Sequence, residues 1–204
     1  MPKSPDDFKI NVFINCPFDP EYKPLFEAIV FTVQIAGFRP RCAREASNAG
    51  QVRIEKILEI ISECKYGIHD ISRTEPLPPR FNMPLELGLD LGCKRFGTAR
   101  QRSKRLLVLD RTPHRYVKFI SDIRGLDIEP HNGRPKQIVR RVRDWLSVES
   151  RSATIPGGSY IYGKYRSFRR GLPDLCDELN YNVDELTFPD FCNTIRVWLE
   201  ENTV

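Results

Sequence analysis

Short apolar runs alternate with amphipathic helical stretches through most of this chain, and few folds accommodate that alternation. Lys9-Ile-Asn-Val-Phe-Ile14 reads as a first strand, with Val12 and Ile14 on one face and Phe13 on the other. It stops at Asn15-Cys-Pro-Phe-Asp-Pro20, where two nearby prolines forbid continuation of a central strand. Tyr22, Phe26, Ile29, Val30 and Val33 then recur at helical spacing, and Gly37 closes that helix. Phe38-Arg-Pro-Arg-Cys-Ala43 is a short second strand, placed near a sheet edge by Pro40. Ile54, Ile57, Leu58 and Ile61 mark the clearest amphipathic helix. A third strand over 65–71 precedes a helix over 84–93, and a fourth strand over 106–110 follows a basic connection. Tyr116, Phe119, Ile120 and Ile123 mark a further helix, 125–129 a fifth strand, and Ile138, Val139, Val142, Trp145 and Leu146 a helix packed on the sheet.

This pattern predicts a flavodoxin-like α/β sandwich over residues 8–148, with five parallel strands in the order 2-1-3-4-5. Composition shifts at 147–159, which reads as a linker or long loop. The extension over 149–204 offers two short amphipathic helices, 172–179 and 188–199, each with a proline near its start. Its tyrosines, phenylalanines and Trp198 are too many for a solvated tail, so it is expected to form a homo-oligomer contact or to close one side of a pocket. Packing on the outer helices of its own chain is the alternative.

Composition narrows the function classes. No run has the length of a membrane span and the opening residues lack a signal-peptide core, so the expected compartment is the cytoplasm. Six scattered cysteines without a C-x-x-C pair, beside only three histidines, read as reduced thiols rather than a zinc site, and no metal is expected. The formal charge of +5 suits a phosphorylated small molecule as well as a polynucleotide. The basic run from Lys94 to Arg105 carries only Phe96 as an interleaved aromatic, which argues against a nucleic-acid surface. There is no G-x-G-x-x-G after the first strand and no Walker A sequence.

Two carboxylates stand out. Asp70 ends the third strand, and Glu86 lies in Asn82-Met-Pro-Leu-Glu86-Leu-Gly88. Ligands of open parallel sheets bind where strand carboxyl ends and helix amino ends meet, and paired acids there suit glycosidic-bond chemistry. Pro84 is expected to open the helix, placing Glu86 in its first turn, where unpaired amides and the macrodipole favour the ionised form. Gly88 suggests a close approach of something to that helix. Asp70 would act as a general acid or bind a base or ribose; capping of the following loop is its ordinary alternative. His69 alternates to the other sheet face and is expected to be a satisfied, buried histidine. Asn15 and Phe18 are expected on the pocket wall, Cys16 is a weak nucleophile without a histidine near it in sequence, and Pro17 rigidifies the turn. Arg73 and Arg80 flank loop 74–79, where solvated arginines or phosphate contacts are the alternatives.

Phe13-Ile-Asn-Cys-Pro-Phe18, the strand ending at Asp70 and the Glu86-Leu-Gly88 helix together resemble the nucleoside 2-deoxyribosyltransferase family and the related Toll/interleukin-1 receptor (TIR)-like domains. The resemblance covers about residues 9–146. It implies that Asn15, Cys16, Pro17 and Phe18 line the pocket, that Asp70 contacts the base and handles a proton, and that Glu86 is the nucleophile on the sugar. Arg73, Arg80, Asn82 and Met83 become substrate-binding candidates, although Arg80-Phe-Asn-Met-Pro84 replaces the small-residue segment of the transferases. The serine-rich first loop of TIR domains is likewise replaced by Asn15-Cys-Pro-Phe18. The implied function is cleavage or transfer at ribose C1′ of a nucleotide, with NAD or a related nucleotide as substrate or ligand and no added cofactor. The alternative is a non-catalytic, nucleotide-binding or self-associating module with a partner protein. Relatives of this mixed type resemble bacterial effector or anti-phage proteins.

Overall fold

The computed structural model describes residues 7–45, 52–73 and 80–202. A helical turn α1 (Asp7–Ile10) leads into β1 (Asn11–Asn15), followed by α2 (Lys23–Ile35), β2 (Arg39–Arg41), α3 (Arg53–Ser62) and β3 (Tyr66–Asp70). Next come α4 (Asn82–Phe96), α5 (Ala99–Arg102), β4 (Arg105–Asp110), β5 (Ile128–Pro130), α6 (Pro135–Ser150), α7 (Gly158–Glu178) and α8 (Phe188–Asn202). The five strands form one parallel sheet in the order β2-β1-β3-β4-β5, as the alternation predicts. Pro40 sits in edge strand β2, where its missing N–H costs no ladder bond on the open side.

Strand alternation divides the core. Val12, Ile14, Ile68, Leu107 and Leu109 face α2 and α6, while Phe13 packs with Ile57, Ile60 and Ile61 of α3 on the opposite face. Helix α2 is buried almost all round because it lies between the sheet and the C-terminal helices. It ends where Gly37 adopts φ +83°, a conformation that favours glycine.

Several boundaries differ from the sequence reading. Residues 9 and 10 are helical rather than part of β1. The segment after β4 is two 3-10 turns, Arg115–Lys118 and Ser121–Ile123, instead of an α-helix. Arg115 anchors that segment backward, donating to Asp110 Oδ1 and to the Ile71 carbonyl, and His114 preceding it is left-handed at φ 59°. The expected linker shrinks because α6 runs to Ser150 and α7 starts at Gly158. Pro173 lies inside α7, not near its start. Gly163 and Gly171 in its first three-quarters mask the helical pattern that Ile161, Tyr165, Phe168 and Leu172 carry.

The aromatics of the extension are used within the chain. Phe31 of α2 lies 5.7 Å from Tyr165, 5.3 Å from Phe168 and 5.9 Å from Trp198, ring centre to ring centre. Tyr165 also donates to the Pro24 carbonyl at 3.0 Å. Intramolecular packing thus accounts for Tyr165, Phe168 and Trp198, while Tyr160 is 47% exposed. No helix among the described residues is long and apolar enough to cross a membrane.

Gly88 shows no close neighbour: a Cβ built there meets nothing within 4 Å. The expectation of a close approach fails, because this face of α4 is open. Gly88→Ala is therefore expected to stabilise the protein by about 0.5–1 kcal/mol through helix propensity and a restricted unfolded chain, as read by urea unfolding. Gly67 in β3 is the opposite case. A Cβ there would stand 2.6 Å from Asp90 Oδ2, 2.8 Å from Leu106 Cδ2 and 3.0 Å from His69 Nε2. Gly67→Ala is expected to cost about 1–3 kcal/mol in the same measurement, since the atoms it meets are packed.

Candidate functional site

Parallel strands β1, β3 and β4 deliver Asn15, Asp70 and Asp110 to one rim of the sheet, and the amino end of α4 closes over it. Asp70 has no exposed surface. Its Oδ2 accepts the Tyr22 hydroxyl at 2.5 Å and lies 3.1 Å from His131 Nε2, while its Oδ1 accepts the Ser72 N–H at 2.8 Å. Burial alone would raise this carboxyl, but His131, then Ser72 and Tyr22, hold it below the ordinary aspartate value. Asp70 is thus an ionised group with its lone pairs engaged, and the Ser72 contact is the loop cap that its position allowed.

Glu86 behaves in the opposite way. Helix α4 begins at Asn82, so Pro84 is the third residue and Glu86 the fifth, beyond the first turn. The expected stabilisation of its charge by the helix end gives way to burial: Glu86 is 5% exposed, and desolvation pushes its carboxyl up to about 7. Arg53 and a hydrogen bond with Asn82 lower it by less.

The Cys16 thiol is fully buried. Burial first, then the charges of Asp70, Cys42 and Glu86, raise it well above the ordinary thiol value, so it is an inert thiol rather than a nucleophile. Asn15 is buried, and its amide is engaged within the protein. Its Nδ2 lies 3.1 Å from His69 Nδ1 and donates to the Met83 carbonyl at 2.8 Å, which fastens the amino end of α4 to β1. Met83 is buried, Asn82 is exposed, and Pro17 lies buried in the turn after β1.

His69 is satisfied and inaccessible, as expected. Its Nε2 lies 3.0 Å from Asp90 Oδ2, and Asp90 Oδ1 lies 3.1 Å from the ammonium of Lys104. Lys104 has no exposed surface and also donates to the Ile61 carbonyl at 2.7 Å and to that of Cys64. This buried chain supports the rim from beneath.

Arg73 and Arg80 converge on one carboxylate of the strand-one loop. Arg73 Nε lies 3.2 Å from Asp19 Oδ2 and its Nη1 2.9 Å from Glu21, while Arg80 pairs with the other Asp19 oxygen. The Arg80 N–H also donates to the Arg73 carbonyl at 2.8 Å, so the ends of loop 74–79 meet; the loop itself lies outside the described residues. Both guanidinium groups are engaged in ion pairs, Arg80 at an exposed position and Arg73 half-buried.

Phe18 packs edge-on against Phe26 at 5.3 Å and carries the Arg44 guanidinium 4.6 Å above its ring. It lines a cavity of about 320 Å³ between the strand-one loop, α2 and the α7–α8 region. Neither Asp70 nor Glu86 lines that cavity, so Phe18 belongs to a different wall from the two acids.

Sequence reasoning missed Tyr22, His131, Asp110 and Lys104. Asp110 had a signal, since Leu109-Asp110 repeats the strand-ending aspartate of β3 and Asp70 pairs with Leu109 across the ladder. Burial raises Asp110 despite its bonds with Arg115. No group of three or more His, Cys, Asp or Glu among the described residues is placed to hold a metal. Comparison with known proteins adds no family: no family model matches this chain, and neither the curated proteins nor the solved structures contain a significant match to it.

Proposed function

We propose that this chain cleaves the N-glycosidic bond at ribose C1′ of a nucleotide, with NAD as the foremost candidate substrate, and that Glu86 is the group acting at the sugar. One observation carries the reading: two carboxyls on neighbouring elements of the rim sit in opposite environments, Asp70 bound by Tyr22, Ser72 and His131 and held low, Glu86 5% exposed, desolvated and pushed up. Environments that separate two acids in this way are how one site obtains distinct roles for chemically similar groups. Asp70, locked by Tyr22, Ser72 and His131, serves as the fixed charge that positions the site.

In this reaction the C1′–N bond breaks and its electron pair leaves with the base. For nicotinamide the pair neutralises the pyridinium nitrogen, so the leaving group needs no proton. Ionised Glu86 opposes the positive charge developing at C1′ or forms the bond to it. Water then supplies the hydroxyl at C1′ and releases one proton. A cytoplasmic setting, where nucleotides are abundant and thiols stay reduced, agrees with this reading and with the free cysteines.

A second reading, a self-associating nucleotide-binding module without turnover, is favoured by the outer face of α4. Phe81 is 65%, Leu85 56% and Phe96 85% exposed there, beside Ile54 and Leu58 of neighbouring α3. Incubation of the purified protein with NAD, NADP and a panel of deoxynucleotides, with chromatography of the products, tests the first reading. Release of a base supports it. No base from any of them, together with a concentration-dependent rise in mass, favours the second.

A further inference from the structure

The cavity beside Phe18 has the attributes of a ligand site in its own right. Its walls are aromatic, with Phe18, Phe26, Phe188 and Phe191 contributed by the strand-one loop, α2 and α8. Phe26 stands 5.3 Å from Phe18, edge to face, and 6.0 Å from Phe188 at a tilt of 38°, so the rings make an apolar corner against which a planar group can pack. Charge is distributed unevenly around it. Asp19 is engaged by Arg73 and Arg80, and Glu27 by Arg169 at 2.8 Å. Lys23 and Arg44 line the same cavity without an ion pair to any described residue, and Arg44 is held in place by its stacking on Phe18. Asp184 lines the cavity too, exposed and without an ion pair to any described residue, so the unpaired charges at the mouth are two cations against one anion.

The interior supplies a second polar element. The Glu27 side chain is 4% exposed, burial raises its carboxyl despite Arg169 and Lys23, and its Oε2 lies 2.8 Å from the Arg169 guanidinium. A carboxylate has about four lone-pair sites, so one guanidinium contact leaves room for a ligand N–H. A volume of about 320 Å³ is at the small end of ligand sites and suits a ligand of mononucleotide size.

The geometry points to a binding site for a planar aromatic anion of mononucleotide size, its ring against the phenylalanines, an N–H edge on Glu27 and its anionic group on Lys23 and Arg44. This site is separate from Glu86 and does not rest on the glycosidase reading. Its occupant touches the loop whose Asp19 gathers Arg73 and Arg80, so the C-terminal extension brings a ligand to the loop that follows β1.

Calorimetric titration of the full chain with adenosine 5′-monophosphate and, separately, with indole-3-acetate tests this and distinguishes a nucleotide from another aromatic acid. Saturable submillimolar binding of at least one is expected, with adenosine and inorganic phosphate each binding at least ten-fold more weakly than the monophosphate if the nucleotide is the ligand. The exposed double variant Lys23→Ala/Arg44→Ala is expected to weaken binding at least ten-fold, and Glu27→Gln to weaken the nucleotide more than the indole acid. Glu86→Gln should leave these affinities unchanged, which separates this site from the rim. Arg44→Glu alone serves if the double variant does not fold, and circular dichroism establishes folding in each case. Failure of both probes to bind, or binding that is indifferent to Lys23 and Arg44, overturns the assignment.

Discussion

Lys104→Met is expected to be the most damaging conservative-volume change in the protein, lowering stability by about 3–5 kcal/mol. The ammonium of Lys104 is wholly buried, 3.1 Å from Asp90 and bonded to the carbonyls of Ile61 and Cys64. Methionine fills much of the space but leaves Asp90 charged in the interior with only His69 beside it, and strips two carbonyls of their donor. For a chain of this size the loss corresponds to a fall in Tm of roughly 6–20 °C. Adding Asp90→Asn should recover part of the loss, because no unpaired charge then remains and the amide still offers His69 a partner. A single variant within about 1 kcal/mol of the parent would mean that water reaches this cluster and that the rim is supported in another way.

Glu86→Gln is expected to lower N-glycoside turnover by about 10²–10³-fold, the usual cost of removing one electrostatic contributor to a charged transition state. Ligand affinity should change little, so the loss falls on kcat rather than KM. The pH dependence gives an independent reading. Because burial holds the Glu86 carboxyl at about 7, the ionised form proposed to act on the sugar accumulates as pH rises through that value, and turnover should rise with it. Turnover that falls through the same range would make Glu86 a proton donor instead. The stability effect has the opposite sign. A carboxyl raised in the folded state favours folding at low pH and opposes it as pH climbs from the ordinary glutamate value through about 7. Above that range Glu86→Gln should be at least as stable as the parent, so lost turnover could not be ascribed to unfolding.

The strand order and the layer arrangement were legible from local chemistry. Val12/Phe13/Ile14 alternate because neighbouring strand residues face opposite helix layers, and Pro40 marks an edge because it lacks a donor. Periodicity also located Asp70 at the end of β3 and His69 on the opposite face. Helix extents were less legible: the glycines of α7 hide its pattern, and an anchored Arg115 replaces an expected helix with tight turns.

The sequence by itself determined which residues could reach the rim, since chain direction in a parallel sheet sends every strand end to the same side. Only the tertiary structure decided what those residues are there. The ionisation of Asp70 depends on Tyr22 and His131, 48 and 61 positions away, and that of Glu86 on how completely neighbouring elements exclude water from it. Burial and long-range partners carry no local periodicity, so two acids that look alike along the chain become a fixed anion and a carboxyl poised near neutrality only when the sheet has closed around them.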